Sequence, residues 1–275
     1  MRWDRNYQSS DVEDRRGQSA GGFGGGGGLP INGILNLFGM FGIRGLIVGM
    51  LLLAGISGGT CLGGAGMCTG GGSPSSEQVR SSPQEDELVH FVGFVFDDVQ
   101  KMWRANLSGY QNAKMVLFRN GVNSACGTAS TAVGPFYCPL DNKVYIDLAF
   151  YDELRRKFGA PGDFAQAYVI AHELGHHVQN LRSQIGRKGD RDSIQIELQA
   201  DCLAGAWGKD ADRRGLLEMG DIDEALNAAS AIGDDTLQRK TQGRVQPETW
   251  THGSSAQRSA AFRKGYDGGP NACGI

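Results

Sequence analysis

Between Gly17 and Ser76 the chain carries a single ionised side chain, Arg44, and from Gly21 to Gly28 every position except Phe23 is glycine. A stretch with so little side-chain volume buries too little apolar surface to offset the entropy of ordering it. The fold must therefore come from other parts of the chain. Periodic apolar patterning starts only at Leu88, which divides the sequence into a polar and Gly-rich N-terminal tail (1–30), a membrane-anchor region (31–67), a linker (68–83) and a globular domain (84–275).

The anchor assignment rests on length. A helix needs about 20 residues to cross the hydrocarbon layer, and Gly45 to Met67 is uncharged throughout, beginning Gly-Leu-Ile-Val-Gly-Met-Leu-Leu-Leu-Ala. Arg44 can snorkel at one end, and the run starts too late for a removable signal peptide. Arg2, Arg5, Arg15, Arg16 and Arg44 precede it and no Lys or Arg follows until Arg80. That asymmetry predicts a cytoplasmic N-terminus and a periplasmic or extracellular globular domain. The mixed charges of Met1 to Arg16 have no apolar period and read as a solvated tail.

A net charge of −3 offers no basic field, so nucleic acid is not an expected partner. The six cysteines form no C-x-x-C pair, which argues against a structural zinc ribbon, and outside the membrane they read as disulfides. The preferred pairs are Cys126 with Cys138, across a Gly- and Pro-containing loop, and Cys202 with Cys273, fastening the C-terminal tail to a helix. Cys61 and Cys68 lie at the membrane boundary and stay open between thiol, disulfide and lipid attachment.

Within the globular part, Leu88, Phe91, Val92, Val95 and Val99 recur at three and four and predict an amphipathic helix to about Leu107. Lys114 to Phe118 and Lys143 to Asp147 have strand character. Helical patterns then run through Asp163 to Leu181, Ser193 to Lys209, Asp221 to Ala231 and Ser255 to Gly265. A few strands followed by several helices predict an α+β fold, mostly helical with a small sheet and preceded by a single transmembrane helix.

The segment Tyr168-Val-Ile-Ala-His-Glu-Leu-Gly-His-His-Val-Gln-Asn180 carries the strongest chemical signal. His172 and His176 are four apart, so a helix projects both imidazoles from one face toward a single metal ion. Glu173 leans over the same site without being a ligand. Zinc with three protein ligands and one open position activates water, and a neighbouring carboxylate takes the proton as a peptide carbonyl is attacked. On the next helix Glu197 and Asp201 again lie four apart. Glu197 is the expected third ligand, and Asp201 the acceptor that fixes a ligating imidazole.

On His172-Glu173-Leu-Gly-His176-His-Val-Gln, Glu197-x-Gln-Ala-Asp201-Cys-x-Ala-Gly and the Met-Arg-Trp-Asp opening, the chain resembles the bacterial neutral zinc metallopeptidase family, zincins of the gluzincin type. The resemblance implies Zn2+ held by His172, His176 and Glu197, with Glu173 as general base, while the polypeptide substrate is the expectation of the motif chemistry itself. The competing reading is a catalytically silent binding or scaffolding protein with a structural zinc. Other membrane-linked zinc proteases have a Thr-His-Pro before a helix with Arg. Thr251-His252-Gly253 is similar, so His252 is a candidate catalytic residue, with Arg258 as an alternative near the site. His177 points about 100° from the second ligand and reads as structural, and His90 has no assigned role. The strand from Val144 to Asp147 precedes the motif helix as the zincin edge strand does, and by that analogy it could pair with substrate. Oligomeric state is not legible in the sequence.

Overall fold

A computed structural model describes residues 1–18, 82–185 and 193–275. The strands are β1 (Val12–Asp14), β2 (Lys114–Phe118), β3 (Gly121–Ser124), β4 (Gly127–Ser130), β5 (Phe136–Cys138) and β6 (Lys143–Asp147). The helices are α1 (Pro83–Asn106), α2 (Ala149–Arg156), α3 (Asp163–Leu181), α4 (Ser193–Arg213), α5 (Asp221–Ala231), α6 (Asp234–Gln242) and α7 (Ser255–Gly268). The mixed helix and sheet class, dominated by helix, is as expected.

Helix α1 starts where its sequence has a stop and a start signal together. Ser82 accepts from the Glu85 amide while the Glu85 carboxylate takes the Ser82 amide, and Pro83 stands at the first helical position. Phe91, Val92, Val95, Phe96, Val99, Met102 and Trp103 then face the core. Each of these, at 4 % exposure or less, contributes about 1.5 to 3 kcal/mol of apolar transfer.

The main sheet has the order β1-β2-β6-β5. Strands β1, β2 and β6 are parallel, with Val12 opposite Met115 and Met115 opposite Val144, while β5 runs antiparallel along β6 with Tyr137 opposite Val144. One face of the sheet carries the helices. The other holds a smaller cluster in which Phe136 stacks on Tyr145 beside the β3–β4 hairpin. Strand β6 is thus internal, and the free edge beside the motif helix is β5. The Val144–Asp147 strand, which by analogy could pair with substrate, is bonded to β2 along one edge and, as far as Tyr145, to β5 along the other, so it is a core strand of the sheet.

The N-terminal residues are part of the domain, which corrects the expectation of a solvated tail. Trp3 packs edge-on against Phe91 at 5.3 Å between ring centroids, Tyr7 donates to Asp97 at 2.9 Å, and β1 pairs with β2. Gly93 permits the crossing, since a Cβ there would lie 3.1 Å from Ser9 Cβ. The signal was hidden because a three-residue edge strand shows no measurable period.

The single transmembrane helix also needs correction. No helix among the described residues is long and apolar enough to cross a membrane, and the segment 31–67 where the span was expected lies outside them. The β1–β2 pairing supplies a physical reason. Residues 12–14 and 115–117 share one hydrogen-bonded ladder, whereas a single crossing between them would place the two strands on opposite sides of a bilayer.

Both expected disulfides are present. Cys126–Cys138 ties the β3–β4 turn to the end of β5, and Cys202–Cys273 joins α4 to the 3₁₀ turn Pro270–Cys273 that follows α7. With sequence separations of 12 and 71 residues, loop-closure entropy assigns them about 3 and about 4 kcal/mol of stability. Cys61 and Cys68 lie outside the described residues.

Candidate metal centre

Three helices build the site, and small residues let them come close enough. A Cβ on Gly175 of α3 would lie 3.0 Å from Ala200 Cα of α4. At the α4–α7 crossing the constraint is tighter, for a Cβ on Gly265 would lie 1.8 Å from the Cys202 carbonyl oxygen and one on Gly205 1.9 Å from that of Phe262. Only glycine allows these backbones to touch. The cost in helix propensity, about 1 kcal/mol per glycine, is the condition for bringing Asp201 and Arg258 together.

His172 and His176 lie one turn apart on α3 with ring centroids 4.8 Å apart and their planes nearly perpendicular, and both Nε2 atoms face Glu197 of α4. His172 Nε2 is 3.2 Å from one Glu197 oxygen and His176 Nε2 is 3.6 Å from the other. One ligand atom from each of the three lies within 4.8 Å of the other two. On the far side of each ring, Nδ1 is already committed. That of His172 is 2.8 Å from Asp201 Oδ1, and that of His176 is 2.8 Å from Gln179 Oε1. A proton on each Nδ1 leaves the Nε2 lone pairs free, so the chemistry of this donor set fits a zinc ion with two imidazoles and a carboxylate.

Asp201 is fully buried and accepts from four directions. Besides His172, Tyr168 donates its hydroxyl at 2.5 Å, and Arg258 donates Nε to Oδ2 and Nη2 to Oδ1, both at 2.9 Å. Burial alone would raise its pKa, but the Arg258 charge and then His172 outweigh that and hold it at about 2. Arg258 therefore lies behind His172 as the counter-ion of Asp201. It lies near the site, as expected, with its guanidinium engaged by Asp201 and Tyr168. Glu173 is also buried. Desolvation raises its pKa against the opposing pull of His172 and His176, the direction that suits a general base.

His252 sits on the loop before α7, half-exposed, where Gly253 takes φ +94°, a conformation closed to proline. Asp234, at the start of α6, organises this loop. Its Oδ2 accepts the amides of Thr251 and His252 at 2.7 Å and that of Gly253 at 3.1 Å, while Oδ1 lies 3.2 Å from His252 Nδ1. Partial burial opposes the charged imidazole, but the Asp234 hydrogen bond and the Glu197 carboxylate outweigh it and raise its pKa. Tyr168 and Gln179 lie in the motif segment without an assigned role and Asp234 lies outside it, so the parts they play were not foreseen. His177 is structural, with Nε2 2.6 Å from the Gln111 carbonyl oxygen and Nδ1 2.9 Å from the Tyr137 hydroxyl, so it fastens α3 to β5.

A second acidic group, Asp163, Asp221 and Glu224, lies at the start of α3. There the Met1 ammonium group, 2.8 Å from Asp163 and 3.4 Å from Asp221, already supplies the cation.

The model of the family described as "Putative neutral zinc metallopeptidase" matches residues 1–275. The Escherichia coli (strain K12) "Uncharacterized protein YpfJ" is 43 % identical over 288 residues, covering 99 % of this chain and 97 % of that protein. The Mycobacterium tuberculosis (strain H37Rv) "Uncharacterized protein Rv2575" is 47 % identical over 195 residues, covering 64 % of this chain and 67 % of that protein. No solved structure matches the chain.

Proposed function

The chain belongs to the neutral zinc metallopeptidase family, and we propose from that premise that it hydrolyses peptide bonds at the His172–His176–Glu197 centre. The observation that carries the reading is the position of Glu173. It is buried on the same helix as the two histidines, next to His172, where desolvation raises its pKa against the pull of both imidazoles. A site serving stability alone has no use for such a base.

His172, His176 and Glu197 would hold the zinc ion, which would supply Lewis acidity toward water and the scissile carbonyl. Glu173 accepts the proton of the attacking water and returns it to the leaving amine. Asp201 and Gln179 hold the imidazoles in the tautomer that presents Nε2. His252, oriented through Nδ1 by Asp234 and near enough to Glu197 to feel its charge, is the group assigned to the developing oxyanion. Two disulfides favour an oxidising compartment as the place of action.

The test is the full-length protein beside Glu173→Gln, with zinc content and cleavage of a peptide library measured on both. The reading expects about one zinc per chain in each and a loss of cleavage of about 10²-fold or more in the variant. Undiminished cleavage by Glu173→Gln would refute it. Zinc-replete wild-type protein that cleaves nothing would favour the scaffolding alternative.

A further inference from the structure

Resting on the zinc site proposed above, we propose that Gln179 and Gln199 are positioning residues for His176, and that they tether this ligand to the disulfide-clamped C-terminal segment. The two histidines are held in different ways. His172 gives its Nδ1 proton to the charged Asp201–Arg258 pair, whereas His176 faces a neutral amide, Gln179 Oε1, at 2.8 Å.

The orientation of that amide is dictated by its other end. Gln179 is fully buried, and its Nε2 donates to the Ile196 carbonyl at 2.7 Å and to Gln199 Oε1 at 2.9 Å. A backbone carbonyl only accepts, so the NH₂ group must point at Ile196 and the oxygen at His176. Gln199 is polarised the same way, because its Nε2 donates to the Cys273 carbonyl at 3.0 Å. Two amides in series, each with a backbone carbonyl as fixed acceptor, thus impose the Nδ1–H tautomer on His176 and leave its Nε2 lone pair toward Glu197.

The far end of this relay is Cys273, which is bonded to Cys202, the residue after Asp201. One disulfide therefore stands behind the supports of both histidines, through Asp201 for His172 and through Gln199 and Gln179 for His176. Without the relay, His176 redistributes between its two neutral tautomers, and the form protonated on Nε2 cannot be a ligand at that atom.

The test uses the full-length, disulfide-bonded protein and its Gln179→Leu and Gln199→Leu variants. Zinc affinity is measured by competition with a chromophoric chelator, and thermal unfolding of the metal-free proteins checks that each folds. In cobalt-loaded protein, proton NMR follows the exchangeable Nδ1 proton of His176. Both variants are expected to lose about 10- to 100-fold in zinc affinity, and the His176 signal is expected to vanish by solvent exchange in Gln179→Leu. If Gln179→Leu does not fold, the partly buried Gln199 carries the affinity test alone. Affinities within twofold of wild type, or an unchanged His176 proton in Gln179→Leu, would overturn the proposal, and so would wild-type protein that binds no zinc. Wild-type protein that binds zinc but cleaves no peptide removes the peptidase reading and leaves the relay to be decided by the affinities.

Discussion

Asp201 Oδ1 stands 2.8 Å from His172 Nδ1, and both Asp201 oxygens are held by the guanidinium of Arg258. One buried carboxylate thereby joins the second helix of the site to the last helix of the chain. It also gives a ligating imidazole its orientation. The pair is neutral as a whole, so its worth lies in geometry more than in net Coulomb energy.

Removing either partner should have separable effects. Asp201→Asn offers His172 a weaker acceptor, so zinc affinity should fall about 10- to 100-fold, and it also costs stability by leaving the buried Arg258 charge without its counter-ion. Arg258→Leu strands the Asp201 charge in the core and should cost about 3 to 5 kcal/mol of stability. Chelator competition reads the first and urea denaturation of the metal-free protein the second. Equal effects from both substitutions on both measurements would contradict the division of roles.

The pH dependence of metal binding follows from the same carboxylates. Burial opposes the charged forms of His172 and His176, but Asp201 and Glu197 outweigh it and raise both pKa values in the metal-free protein. A protonated imidazole has no free lone pair at Nε2, so zinc must displace protons. Affinity should rise with pH above neutrality, with proton release visible by calorimetry in buffers of different ionisation enthalpy. Asp201 acts in the same direction on folding, but in acid. Its pKa is depressed from 3.8 to about 2, so the stability it contributes is present above pH 4 and lost as pH falls toward 2.

Gly265→Ala should damage the site without touching it. The added Cβ would meet the Cys202 carbonyl oxygen at 1.8 Å, inside any tolerable contact, so α4 and α7 must part. A loss of stability of about 1 to 3 kcal/mol or more is expected, with weakened zinc binding as Arg258 leaves Asp201. Gly109, where no atom lies within 4 Å of an added Cβ but φ is +77°, is the control. Gly109→Ala should cost stability alone, and equal losses of zinc affinity in the two variants would argue against the packing account.

Deletion of residues 1–16 should destabilise the domain. It uncovers the β2 edge and the Trp3 contact on Phe91, leaving an unpaired strand that invites association. A lower melting temperature and concentration-dependent aggregation are expected. A truncated protein that melts and sediments like the full chain would show that β1 contributes nothing.

Much of the molecule was legible because its signals are local. The 3.6-residue period marked α1, α3, α4, α5 and α7, and a four-residue spacing is enough to place His172 beside His176 and Glu197 beside Asp201 on their helices. The cysteine pairs were legible from their loops and the tail they close. What the tertiary structure alone decided depends on meetings between distant segments, which have no period. These are the strand at Val12–Asp14 joining a sheet built from residues beyond 113, the transfer of the free edge from β6 to β5, and the approach of Arg258 to Asp201. The expected membrane span shows the limit most sharply. Apolar length measures what a segment could do in a bilayer, but which strands lie side by side is settled by hydrogen-bonded pairing across the chain.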